Sequence, residues 1–341
     1  MSTRDSKAER GCASGPQEIA AAAERLRSGR LVAFPTETVY GLGADALNAA
    51  AVARVFAAKG RPSNNPLIVH VDSIAMAKRV VREWPEGAEA LAKAFWPGPL
   101  TIVLPKSENV PGLVTGDGPN VAVRAPKHPV ALALIGAFGG PIVGPSANKS
   151  GFVSPTTAWH VHQEFADADV MVLDGGACEV GIESTVVSLV GAPRVLRPGA
   201  ISATEISAVL GVKVAEGRAK TLASGLASGA MESPGQLASH YAPRSPAILV
   251  DAAKLQKALR EAEGPCVVLG PLLTSLPRQH RVIPMPMDAR AYASRVYAAL
   301  READALMPAM IAIVKPTIVK GAADEALWRA IMDRLKRATA E

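Results

Sequence analysis

Apolar residues at Ile19, Ala22, Ala23 and Leu26 fall on one face of a helix, and the run stops at Gly29, a residue that readily ends helices. The unbroken apolar stretch 31–34 follows and predicts a short buried strand. The same change of period then repeats along the chain. Residues 49–59 predict a helix that turns Val52, Val55 and Phe56 inward and ends at Gly60. Further strands are predicted at 67–71, 100–104, 121–124, 141–143, 170–173, 185–189 and 194–196. Helices predicted at 73–81, 86–95, 129–137 and 155–165 separate several of them. Strands interleaved with helices in this way predict an α/β domain with a mixed sheet over residues 14–213, preceded by a loose tail at 1–13.

The pattern breaks at 214–246, where Gly, Ala, Ser and Pro crowd out large apolar residues. That composition predicts a linker, with Ser233-Pro234-Gly235 and His240-Tyr241-Ala242-Pro243 as its distinctive runs. Such a proline-stiffened segment is more than a tether needs, and it predicts a lid over a site. Residues 247–341 resume the alternation: strands at 247–250, 266–269 and 310–314, helices at 252–261, 288–306 and 324–337. A small Rossmann-like α/β layer is expected there, with no GxGxxG run to bind a dinucleotide.

Composition narrows the class without naming a chemistry. The 341 residues are 49% hydrophobic and 20% charged, which suits packed domains and not a disordered chain. A net charge of +6 permits anionic partners but does not require them. Cys12, Cys178 and Cys266 are isolated and odd in number, which argues against a disulfide scaffold or a cysteine-built metal site. With no apolar run of membrane-spanning length and a polar start, a cytoplasmic protein is the expectation, with no membrane partner.

Candidate chemistry gathers at strand ends. Phe34-Pro35-Thr36-Glu37-Thr38-Val39-Tyr40-Gly41-Leu42-Gly43 follows the first strand, and its two glycines suggest a tight turn near a ligand. Lys59 and Arg61 stand at the end of a helix and run into Asn65-Pro66-Leu67. They are either cations capping the helix dipole or a phosphate clamp, with Arg61 as a planar fork and Lys59 as a point charge. His70, inside an apolar strand, is either a satisfied core residue or part of a site. Arg124 ends the run Val121-Ala122-Val123, so it needs a structural carboxylate or an anionic ligand. Gly144-Pro145-Ser146-Ala147-Asn148 follows a strand and could form an anion nest. Ser154-Pro155 reads as N-cap and first residue of a helix, whose N-terminus also attracts phosphate. Walker A, GxSxG and HExxH patterns are all missing, and His160 and His162 face different sides of a helix. The inventory suits an enzyme that positions anions, with no dedicated general base in view.

Taken in order, these motifs resemble the YrdC/YwlC family, the threonylcarbamoyl-AMP synthases, in its two-domain form. The likeness rests on 35–43, the K-x-R-P-x-x-N-P-L run at 59–67, His70, Trp96-Pro97-Gly98-Pro99-Leu100-Thr101 and 121–124. It continues through Pro145-Ser146-Ala147-Asn148, Ser154-Pro155-Thr156, Glu183-Ser184-Thr185-Val186-Val187, Arg197-Pro198-Gly199 and the two linker runs. The resemblance implies a twisted sheet with a basic surface and a reaction joining L-threonine, bicarbonate and ATP. The product would be threonylcarbamoyl-AMP, for N6-threonylcarbamoyladenosine next to the tRNA anticodon. It implies that Thr38, His70, Arg124, Gly144 and Ser184 hold threonine. Lys59, Arg61, Asn65, Asn120, Ser146, Ser154, Arg197 and Tyr241 would surround ATP, with Lys59 and Arg61 assisting catalysis. Mg²⁺ is expected with the ATP and not in a protein-built metal site. A downstream tRNA threonylcarbamoyltransferase is the implied partner, with tRNA a candidate for the basic surface. Asn120 and Ser188 depart from the family pattern, where Thr and Asp are common. One competing reading, a carbamoyl-transfer enzyme of hydrogenase maturation with a related domain, needs more length and more cysteines than this chain has. Another, a pure RNA-binding module, is disfavoured because the loops lack stacking aromatics.

Overall fold

The structure, a computed structural model, describes residues 14–217, 241–271 and 276–340. The expected tail and the runs at Ser233-Pro234-Gly235 and His240 lie outside the described residues. The first half of the chain folds as α1 (Pro16–Arg27), β1 (Leu31–Phe34), β2 (Gly41–Asp45), α2 (Ala49–Lys59), β3 (Ile68–His70), α3 (Ile74–Ala77) and α4 (Glu86–Phe95). It continues with β4 (Leu100–Pro105), α5 (Gly112–Thr115), β5 (Asn120–Arg124), α6 (Pro129–Phe138), β6 (Ile142–Val143) and α7 (Ala158–Glu164). β7 (Val170–Val172), β8 (Thr185–Ser188), β9 (Arg194–Arg197), α8 (Ala203–Leu210) and β10 (Ala215–Glu216) complete a ten-stranded mixed sheet. Its order is β10-β9-β8-β4-β5-β3-β6-β2-β1-β7.

Local chemistry accounts for many of these boundaries. The Asn48 side chain accepts from the Ala50 and Ala51 amides and starts α2. Ser202 and Glu205 form a reciprocal capping box at α8. Two expectations are corrected. Gly41 and Gly43 do not make a turn; they lie within β2, against the Phe34 ring. The helix expected from Pro155 begins only at Ala158, because Thr157 and not Ser154 accepts the His160 amide as its N-cap.

The second unit is β11 (Ala247–Val250), α9 (Leu255–Glu261), β12 (Cys266–Gly270), β13 (Arg281–Pro284), α10 (Ala289–Ala305), β14 (Met310–Val314) and α11 (Glu325–Ala338). Its four strands are all parallel, in the order β11-β14-β12-β13. This is the expected Rossmann-like layer with one strand more than the sequence pattern showed. The first sheet also reaches past residue 213, since β10 pairs with β9.

Two of the buried apolar clusters among the described residues are large. One lies under the helices of the first unit and includes Leu26, Phe34, Val52, Leu91 and Ile135. The other packs Tyr297, Leu300, Ile331 and Leu335 of the second unit against Val39, Val153, Ile182 and Tyr241. The units therefore share a buried apolar contact. No described helix is long and apolar enough to cross a membrane.

Candidate active site

Strand register sets the site, because alternate side chains share one face of a sheet. Ile68 and His70 of β3 pair with Ala122 and Arg124 of β5. Val103 of β4 is opposite Ala122, and Thr101 is beside Val186 of β8, which is opposite Arg197 of β9. Ile68, Val103, Ala122 and Val186 form a separate small apolar cluster on this face. Above it lies a cleft bordered by Arg61, His70, Arg124, Ser184, Arg197 and Tyr241. Thr36 and Thr38 close it on the side of the loop after β1, and Gly144 to Ser146 close it after β6.

Arg124 is almost wholly buried, and each of its three nitrogens has a polar neighbour. Nε donates to the Gly98 carbonyl at 3.2 Å and Nη1 to Thr38 Oγ1 at 2.9 Å. Nη2 lies 2.7 Å from Glu37 Oε2, a charge contact and not an aligned hydrogen bond. Neither Glu37 oxygen accepts a hydrogen bond among the described residues, so Arg124 is the partner that makes this buried carboxylate tolerable. The sequence places Glu37 among the polar groups after the first strand but names no partner for it. Its place in the buried pair was not legible without the neighbouring strand.

His70 is also buried, and its Nδ1 has no hydrogen-bond partner among the described residues. Burial, and then the nearby Arg124 charge, push its pKa down from 6.5 to about 3, so the ring is neutral at physiological pH. A Cβ on residue 144 would come within 2.7 Å of Nδ1, so glycine is required where the β6 loop passes the imidazole.

The cations after α2 divide the work. Lys59 Nζ donates to the Ser146 carbonyl at 2.5 Å and also to the Asn148 carbonyl, and it does not border the cleft. It ties down the Pro145–Asn148 loop. Burial, reinforced by Arg61, holds its pKa well below the usual lysine range. Arg61 does border the cleft. It is fixed by Asn65 Oδ1 at 2.7 Å and by the Asn65 and Pro66 carbonyls. Burial lowers its pKa to about 10, which leaves it a cation at neutral pH.

On the opposite side, Arg197 Nε donates to the Ser184 carbonyl at 3.0 Å and Nη2 to Ser184 Oγ at 3.1 Å. Ser184 Oγ also lies 2.8 Å from Thr101 Oγ1. Ser154 is buried beside the site, not at a helix start, and its Oγ donates to Glu183 Oε1 at 2.8 Å. Asn120 begins β5, four residues from Arg124 and therefore about 13 Å away along the strand. It does not border the cleft. Tyr241 does: its ring is buried and stacks on Tyr297 at 5.6 Å between centroids.

The sequence motifs include Glu183 without a role for it, and they leave out Tyr297 and Arg334. Glu183 accepts from Tyr297 at 2.9 Å and Arg334 at 3.2 Å, both from the second unit. A signal for Arg334 existed. It interrupts the apolar stripe Trp328, Ile331, Leu335 and Ala338 of α11, where a charge must find a buried partner. No group of three or more His, Cys, Asp or Glu that could hold a metal occurs among the described residues.

Comparison with known proteins bears on both units. The Sua5/YciO/YrdC family model, described as "Telomere recombination", matches residues 24–199. The model for the C-terminal domain of threonylcarbamoyl-AMP synthase matches residues 201–340. The threonylcarbamoyl-AMP synthase of Pyrococcus abyssi is 40% identical over 329 residues, 94% of each chain. That of Bacillus subtilis is 46% identical over 232 residues, 67% of this chain and 65% of the relative. A crystal structure of P. abyssi Sua5 complexed with L-threonine superposes with a TM-score of 0.82 at 39% identity, covering 94% of each chain. Both units are thus matched in sequence and in architecture, and the chain belongs to the Sua5/YciO/YrdC family, with the C-terminal domain of the threonylcarbamoyl-AMP synthases.

Proposed function

We propose that this protein is an L-threonylcarbamoyladenylate synthase, a nucleotidyltransferase that converts L-threonine, bicarbonate and ATP to threonylcarbamoyl-AMP and pyrophosphate. The observation that carries the reading is one cleft bordered by Arg61, Arg124 and Arg197, over an apolar floor. Several fixed guanidiniums on one surface suit a substrate set with a carboxylate and a triphosphate. The likeness to the threonine-bound P. abyssi structure supports the same assignment over nearly the full chain.

In this reading Arg124 takes the threonine carboxylate, while Thr38, His70 and Ser184 surround the rest of the amino acid beside Gly144. Neutral His70 can accept or donate one hydrogen bond without bringing a second positive charge to the amine. The threonine amine adds to carbon dioxide drawn from bicarbonate and loses a proton, which gives a carbamate. A carbamate oxygen then bonds to the α-phosphorus of ATP as the bond to pyrophosphate breaks. Arg61 and Arg197 stabilise the phosphate oxygens, and Lys59 and Asn65 act by holding Ser146 and Arg61 in place. Ser154 supports that side of the site through Glu183, and Tyr241 covers the nucleotide. Asn120 lies on the same sheet face and reaches only a distal part of ATP. Mg²⁺ bound with the triphosphate would supply charge neutralisation there, beside the Arg61 and Arg197 guanidiniums. The product passes to a tRNA threonylcarbamoyltransferase, which places the threonylcarbamoyl group on adenosine N6 next to the anticodon and releases AMP.

Exchange of labelled pyrophosphate into ATP tests this reading. Exchange that requires both threonine and bicarbonate is the expected result. Tight RNA binding with no such exchange would sink it in favour of a non-catalytic RNA-binding module.

A further inference from the structure

The second unit has a Rossmann-like parallel sheet but no GxGxxG nucleotide fingerprint. Its contact with the first unit is more informative. Arg334 of α11 is 1% exposed; all three of its guanidinium nitrogens contact the first unit, and Nη1 also lies 3.4 Å from Asp333 Oδ2 of its own helix. Nε lies 3.2 Å from Glu183 Oε2, Nη2 donates to the Glu183 carbonyl at 3.3 Å, and Nη1 donates to the Pro198 carbonyl at 2.6 Å. The Tyr297 hydroxyl of α10 donates to the same Oε2 at 2.9 Å. Tyr241 packs against both groups: its ring stacks on Tyr297, and the Arg334 guanidinium carbon is 5.9 Å from its centroid.

Of these attachment points, Glu183 itself borders the cleft and Pro198 is one residue from Arg197, which also borders it. Glu183 precedes Ser184, and its other oxygen accepts from Ser154. Pro198 follows Arg197, whose guanidinium is itself bonded to Ser184. The contact is also closely fitted. Gly181 sits at φ 74°, and a Cβ there would fall 2.4 Å from the Ala293 carbonyl oxygen, so α10 packs directly on the segment that leads to Glu183. Burial alone would raise the Glu183 carboxyl, but Arg334, Arg197 and the Ser154 hydroxyl outweigh it and hold the group below its usual range. An anionic carboxylate in the interior then keeps all of its donors in fixed positions.

We propose that Arg334 and Tyr297 are positioning residues of the active site, through which the second unit sets the places of Ser184, Arg197 and Tyr241 by way of Glu183 and Pro198. The units then work as a single catalytic body, and the second unit needs no ligand of its own for this role. The proposal rests on the reading of the cleft as the threonine and nucleotide site.

The test uses the full chain with Tyr297→Phe, Arg334→Lys and Arg334→Met. Adenylate formation is followed against both substrates, and threonine binding is followed by calorimetry, at a temperature where thermal scans show each variant folded. Tyr297→Phe keeps the ring against Tyr241 and removes one donor, so a loss of about tenfold in kcat/KM is expected with little change in melting temperature. Arg334→Met should lose roughly a hundredfold or more and raise the KM for threonine as well as for ATP. Arg334→Lys should recover part of that loss, because it returns the charge without the fork. Wild-type kcat and KM in folded Arg334→Met and Tyr297→Phe, with lowered melting temperature alone, would overturn the proposal and leave a purely structural contact. Failure of the wild type to form the adenylate would instead overturn the functional reading, and this inference with it.

Discussion

At the scale of single residues, Arg124 and Glu37 carry the sharpest consequences. Arg124→Ala should weaken threonine binding by about 2–5 kcal/mol, the usual cost of truncating one partner of a buried charge pair. It should also destabilise the fold, because Glu37 would remain buried with no counter-charge. Calorimetry on the folded variant reads the first effect, and unchanged threonine affinity would remove Arg124 from the binding role. His70 makes a separate pH prediction. Its pKa is lower in the folded chain than in the unfolded one, so protonation favours unfolding. Its contribution is present above about pH 6.5 and is lost as pH falls toward 3. His160, lowered to about 4 by burial and then by Arg301, adds to the same acid sensitivity. Denaturant titrations should therefore show stability falling less steeply below pH 6 in His70→Gln than in the natural sequence. Parallel pH profiles would contradict the buried, neutral imidazole.

Elements show where sequence pattern was sufficient and where it was not. Helices with a clear apolar face and a cap, such as α2 and α10, appear close to their predicted bounds. β2 was hidden because Gly41 and Gly43 have weak strand preference and are held by hairpin pairing to β1. β13 was hidden because it is an edge strand with only Ile283 buried, so it has no apolar run. The loop after α2 illustrates a different limit. Lys59 and Arg61 are two residues apart in the motif, yet one bonds a loop and the other borders the cleft, a division that depends on a loop almost ninety residues away. Lys59→Met should therefore lower stability and activity together, with about 1–3 kcal/mol for each stranded carbonyl that does not find water. Thermal unfolding distinguishes this from a purely catalytic lysine, whose loss would leave the melting temperature unchanged. The start of α7 gives a second check: Thr157→Ala should cost about 1 kcal/mol, while Ser154→Ala leaves the helix intact.

For the whole molecule, the α/β class, the two units and most cleft residues were legible because they lie in contiguous motifs. The floor of the site was not, since Ile68, Val103, Ala122 and Val186 come together only through strand order. The join between units was hidden for the same reason: Glu183 and Arg334 are far apart in sequence and meet across two domains. The central claim is that this combined body makes an adenylate from three small molecules. The most direct measurement is the mass of the nucleotide product from purified protein with ATP, threonine and ¹³C-labelled bicarbonate. Threonylcarbamoyl-AMP carrying the label and the threonine moiety, formed together with pyrophosphate, is the predicted result. ATP consumption that yields only ADP and phosphate, or an unlabelled threonyl-AMP, would contradict the account.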